Sequence, residues 1–288
     1  MINPLAPQPV ERLAFLRIVL PLVILGFLFS RLRHAGHWIG SSGFHVPDLQ
    51  RVDYRQPVYL PALPDPAAWA VAVALVVSGL ALSAGFRTRS SGLVFAALLF
   101  YVALADRLAA FTVSKIAGVL ALALAVSAAG ARYGVDAWRH QRANPETDPV
   151  RVVPAGELRF LQLFLLVIYL GSGICKARGE WLERTDILWT HLHDSYQTPI
   201  SHMLANVSPS WMWPVLQWAT LVFEIGAPLW FTLAATRLPA LGFGLLLHLG
   251  IGLFFGPVIW FSLVMMTLLL GGFAPVPWLR ALLHRGPG

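Results

Sequence analysis

The sequence predicts an all-α polytopic membrane helix bundle of about eight transmembrane helices with outward-facing loop caps. Three observations lead there. The 288 residues are 57% apolar and only 12% charged, where soluble domains carry roughly 25% charged residues. The mean hydropathy is +0.67. Apolar runs of about 20 residues, the length that crosses a bilayer, recur along the chain between polar connectors.

Taken in order, residues 1–11 form a short polar lead-in, and spans are expected at 12–31, 67–86, 91–108, 111–131, 157–176, 209–233, 237–255 and 257–275. The first run is too long for the apolar core of a cleavable signal and lacks a small-residue cleavage site, so it reads as a true span. Two tight hairpins are expected, over 67–108 and 237–275. The connections 32–66, 132–156 and 177–208 are polar enough to leave the membrane, and 280–288 reads as a flexible tail. All of 1–288 reads as a single transmembrane domain.

The formal charge of +7 comes from arginines scattered among loops without a basic stripe. That pattern excludes nucleic acid as a partner and leaves membrane lipids as the surroundings. With the N-terminus inside, the short inner connections collect Arg87, Arg89, Arg132, Arg139, Arg142, Arg151 and Arg237, as the positive-inside bias requires. The expected placement is a bacterial inner membrane with both termini cytoplasmic. The outer loops then hold His34, His37, Trp38, His45, Tyr54 and Tyr59 in the first and Trp181, Trp189, His191, His193, Tyr196 and His202 in the second, which are expected to form the caps. The single cysteine, Cys175, excludes an intramolecular disulfide, a CxxC redox pair and a cysteine-rich metal site. No metal site is expected, since His191-x-His193 is the strongest ligand spacing in the outer loops and is weak.

Ionisable groups inside apolar spans are costly and mark function or pairing. They are Arg17, Asp106, Lys115, Lys176, Glu224 and His248. Arg17 in the first span and Glu224 in the sixth fall at similar depth, so a structural Arg17–Glu224 pair is expected. Only two of the 21 basic residues are lysines, and both lie within or at the rim of apolar segments. A desolvated lysine can act as a base, which an arginine cannot. Lys115 is a catalytic candidate or the partner of Asp106. His248 is a catalytic candidate or a neutral core histidine, with Gly250 and Gly252 beside it allowing close helix packing. Lys176 ends its helix after Gly171, Gly173 and Cys175, and either snorkels to the interface or serves as a base.

The segment YLGSGICKARGEW, Tyr169 to Trp181, followed by Thr198-Pro199, resembles the HTTM family, the membrane domain shared with vitamin K-dependent gamma-glutamyl carboxylase. The stretches RLAFLRIVL (12–20), LVFEIGAPL (221–229) and LLHLGIGLFFGPVIWFSLVMM (246–266) agree in the family's order. The resemblance implies a catalytic Lys176 that deprotonates a reduced quinone, vitamin K hydroquinone or menaquinol, with Tyr169, Gly173 and Trp181 in the cofactor site. Oxygen capture then yields a strong base that removes a glutamate γ-proton, and CO2 adds to the carbanion. Lys115 and His248 rank second as catalytic residues. The family's Asn-Asn-His element is replaced here by FTVSK (Phe111 to Lys115), and 288 residues are expected to hold the membrane domain without the large propeptide-binding region. The substrate expected is therefore a peptide or small molecule. The rival readings are an accessory or transport-partner protein whose buried lysines pair helices, and a quinol-handling redox partner resembling DoxX-like four-helix proteins.

Overall fold

The structure, a computed structural model, describes residues 6–43, 60–105, 112–193 and 197–283. Thirteen α-helices form among the described residues. Contacts divide the chain into two compact units, one holding residues 9–153 and the other residues 1–8 and 154–288.

In the first unit α1 (Val10–Leu32) packs on α3 (Asp65–Ala84) and α5 (Thr112–Val126), while α4 (Thr88–Ala105) lies against α3 and α5. A short α2 (Ala35–Trp38) rests on α3. Glu11 in the first turn of α1 and Arg31 in its last complement the helix dipole. Leu16, Leu20, Ile24, Leu75, Leu82, Phe95 and Leu120 supply the buried apolar faces. Past a 3-10 turn at Ala128–Gly130 comes α6 (Val135–Ala143).

α3 stops at Gly85, whose φ of +70° disfavours any residue with a Cβ. The N–H groups of Gly85 and Phe86 close the helix on the carbonyls of Leu82 and Ala81, at 3.0 and 2.9 Å. The wholly buried Arg17 guanidinium runs against this turn and donates to the Tyr133 carbonyl. A Cβ on Gly85 or Gly134 would collide with Arg17 Nη1. Asp136 lies within electrostatic reach of Arg17 and accepts the Thr88 N–H at 3.1 Å. Arg17 therefore pins α1 to the segment before α6, in place of the expected pairing with Glu224. Gly85→Ala is expected to cost more than about 1 kcal/mol, from left-handed strain alone, before the clash with Arg17 is added. Gly156→Ala, where nothing stands within 4 Å, is the control. Equal thermal unfolding shifts for the two would contradict the pin.

The second unit runs α7 (Ala155–Arg178), α8 (Ile187–His191), α9 (Pro199–Val207), α10 (Met212–Thr232), α11 (Ala234–Phe254), α12 (Ile259–Phe273) and α13 (Val276–Leu283). α7 packs on α10 and α12, and α11 packs between α10 and α12. α9 starts with a capping box: Thr198 Oγ1 accepts the Ser201 N–H at 3.1 Å, and Ser201 Oγ accepts the Thr198 N–H at 2.7 Å. The Thr198 hydroxyl also donates to the Leu253 carbonyl at 2.8 Å, tying α9 to the end of α11.

Leu163, Val167, Val222 and Leu246 are each more than half exposed, so these helices are apolar outside as well as inside, the pattern of a membrane span. Helices stand at all eight expected positions, but six spans among the described residues are long and apolar enough to cross a membrane. α5 is apolar with only 15 residues. α10, with 21 residues, is not among the six, and carries Gln217, Glu224 and three tryptophans. The fold is an all-α membrane bundle; a count of eight crossings goes beyond what length and apolarity support.

Candidate functional site

The end of α7 places Tyr169, Ser172, Gly173 and Lys176 on one helical face, since they recur at intervals of three and four. That face meets α10. A Cβ on Gly173 would stand 2.7 Å from Ile225 Cγ1, 3.0 Å from the Ile225 nitrogen and 3.1 Å from Glu224 Cβ. Glycine thus lets the two backbones approach, and the approach joins Lys176 to Glu224. Lys176 Nζ lies 2.6 and 2.5 Å from the two Glu224 carboxylate oxygens and donates to Ser172 Oγ at 2.8 Å. The Trp181 ring sits 5.1 Å from the same nitrogen, within cation–π range. Glu224 is buried, and the Lys176 side chain is 23% exposed.

Beyond α7 the chain turns at Gly179. Gln217 on α10 holds this loop by donating from Nε2 to the carbonyls of Trp181 and Arg184, at 2.7 and 2.6 Å. In the exposed part of the loop Arg184 binds Asp186 at 3.0 Å, and that contact draws the Asp186 carboxyl below its ordinary range. The result is a fixed Trp181 beside Lys176.

Lys176, Glu224 and Trp181 form the polar end of a cavity of about 500 Å³. Its remaining walls are mostly apolar, with Leu216, Phe243, Leu247 and Phe254 among them, together with His191. A space of this size with one convergent polar end is the usual form of a small-molecule site. Behind the pair, the buried Tyr169 hydroxyl meets His248 Nε2 at 2.7 Å. Phe223 lies edge-on to Tyr169 at 5.2 Å, and Phe261 edge-on to His248 at 5.9 Å.

These positions revise several expectations. Glu224 takes Lys176, because the α7–α10 crossing sets the contact where similar depth alone had suggested Arg17. Tyr169 and Gly173 belong to the helix packing behind the pair and not to the cavity wall; of the three expected cofactor residues only Trp181 lines it. His248 is buried and bonded to Tyr169. Lys115 is exposed and belongs to the unit of residues 9–153, and Asp106 lies outside the described residues. His191 and His193 each bond an i−4 carbonyl through Nδ1, at 2.8 Å in both cases; the His193 ring lies tilted against Trp189 at 4.1 Å. Ser172 joins the site only in the structure, as the acceptor for Lys176. Its place four residues before Lys176, on the same face, was the available signal.

Comparison with curated proteins and with solved structures finds no match. The model of the HTTM domain matches residues 6–278, which covers the Tyr169-to-Trp181 motif, Glu224 and His248. Nearly the whole chain is matched, and it belongs to the HTTM domain family.

Proposed function

We propose that this HTTM protein is a membrane-embedded, quinol-dependent oxygenating enzyme of the carboxylase-like type, with Lys176 and Glu224 as its proton-handling pair. The observation that carries this reading is the ammonium–carboxylate pair at the head of an apolar cavity. The cavity fits the group: a fused-ring quinol has an apolar body for Phe243, Leu247 and Phe254, and a polar edge for Lys176 and Glu224. A bound hydroquinone supplies an acidic O–H and the electrons that reduce oxygen.

In this reading the proton path runs through Lys176 and Glu224. As an ion pair, Lys176 and Glu224 leave the amine without a free lone pair. Filling the cavity removes water, and a drier site penalises separated charges more strongly. Transfer of one proton from Lys176 Nζ to Glu224 then gives a neutral amine and a neutral acid, with no change in total proton count. The freed lone pair on Nζ takes a proton from the ligand's polar edge. Trp181 stabilises the resulting ammonium through its ring face, and Ser172 keeps one N–H occupied. The base is thus released by displacement of water.

One observation favours the rival reading of a non-catalytic accessory protein: both carboxylate oxygens and Ser172 already engage the ammonium, as a pure helix-pairing contact would. Activity separates the two. Purified protein in liposomes is supplied with reduced vitamin K or menaquinol, oxygen, a glutamate-containing peptide and labelled bicarbonate. The expected result is quinone epoxide formation that falls at least about 100-fold in Lys176→Ala, the usual scale for loss of a general base. Label in the peptide identifies carboxylation; epoxide without label identifies oxygenation alone. Absence of epoxide from folded wild-type protein favours the accessory reading.

A further inference from the structure

His248 on α11 and Ser262 on α12 are 2% and 1% exposed. The two helices pack against each other. Ser262 Oγ lies 3.5 Å from where a Cβ on Gly252 would stand, and Gly252 follows His248 by one helical turn on the same face. Among the described residues, neither His248 Nδ1 nor Ser262 Oγ has a protein hydrogen-bond partner. Other hydroxyls in this unit bond a carbonyl one turn back: Thr220 to Leu216, Thr232 to Pro228 and Thr267 to Leu263, at 2.8, 2.5 and 2.7 Å. Ser262 departs from that habit in the first turn of α12. Two orphaned polar groups thus lie on the facing helices α11 and α12, and Ser262 packs near the position one helical turn beyond His248.

The protons of the Tyr169–His248 bond sharpen this. If His248 Nε2–H donated to the phenol oxygen, the Tyr169 proton and the Nδ1 lone pair would both be left unmet. If Tyr169 donates to Nε2, only the Nδ1–H is left, and it is a strong donor that needs an acceptor. We propose that α11 and α12 hold one buried water between His248 Nδ1 and Ser262 Oγ, which accepts the Nδ1–H and bonds the serine hydroxyl. Buried waters take such positions, at otherwise unsatisfied polar groups. The water fixes His248 as the Nδ1–H tautomer with its Nε2 lone pair facing Tyr169. It makes His248 and Ser262 positioning residues for the Tyr169 hydroxyl, which lies within electrostatic reach of Glu224.

The test is solid-state NMR of the full protein, 15N-labelled at histidine, in liposomes, with the His248 signals identified by their loss in His248→Gln. The expected wild-type result is a protonated Nδ1, an unprotonated Nε2, and magnetisation transfer from Nδ1–H to water protons. Ser262→Val, which removes the hydroxyl and fills its space, is expected to abolish the transfer, and Ser262→Thr to retain it. An unprotonated Nδ1, or an Nδ1–H without transfer to water, overturns the proposal on the wild-type protein alone, even where Ser262→Val does not fold. Transfer persisting at wild-type intensity in folded Ser262→Val overturns it equally.

Discussion

Lys176→Ala is expected to lower the stability of the protein by about 3–5 kcal/mol, the scale for leaving one member of a buried ion pair uncompensated. Its Glu224 partner is only 6% exposed and would keep a carboxylate facing the mostly apolar cavity. The loss belongs to the unmatched charge and not to the pair itself. Lys176→Met combined with Glu224→Leu is therefore expected to recover most of it, because well-packed apolar substitutes for a buried pair are often neutral or stabilising. Unfolding of the purified protein in detergent, by heat or denaturant, measures both. A double variant that loses the sum of the two single effects would show that the residues do not act as a pair.

Gly173→Val is expected to cost at least about 1–3 kcal/mol through overpacking, and to remove activity as well. The side chain would enter space held by Ile225 and the Glu224 Cβ, neither of which can withdraw without moving α10. Prying α7 from α10 separates Lys176 Nζ from its carboxylate, so stability and function fall together. Gly171, two residues earlier, has nothing within 4 Å of the corresponding position. Gly171→Ala is expected to be neutral or to stabilise by up to about 1 kcal/mol, the helix-propensity gain. Comparison of the two variants by thermal unfolding and turnover distinguishes a required close approach from a general need for small residues near the helix end.

Much of the architecture was legible because membrane helices announce themselves by length and apolarity, as α1, α3, α4, α7 and α11 do. The Lys176–Trp181 spacing was legible too, as a local motif. Partner choice was not. Lys176 and Glu224 are 48 residues apart, and nothing local in either segment names the other. Depth suggested Arg17 for Glu224, but Arg17 is claimed by Tyr133 in a turn that only Gly85 and Gly134 leave room for. The intervals Tyr169, Gly173 and Lys176 did carry information: a glycine on the lysine's own face points to a helix crossing there, and hence to a partner on the neighbouring helix. The exposure of Lys115 was not legible in its apolar segment. The apolar residues around it do not bury it: Lys115 is exposed on α5.

The central claim is that Lys176 and Glu224 act on the proton as one unit. An activity cycle tests it most directly, with quinone epoxide formation measured for wild type, Lys176→Ala, Glu224→Gln and the double variant, each shown to be folded. Residues that work as a unit are strongly non-additive, so each single variant and the double variant are predicted to fall to the same low rate. Single losses that multiply in the double variant, or wild-type turnover in either single variant, would contradict the account.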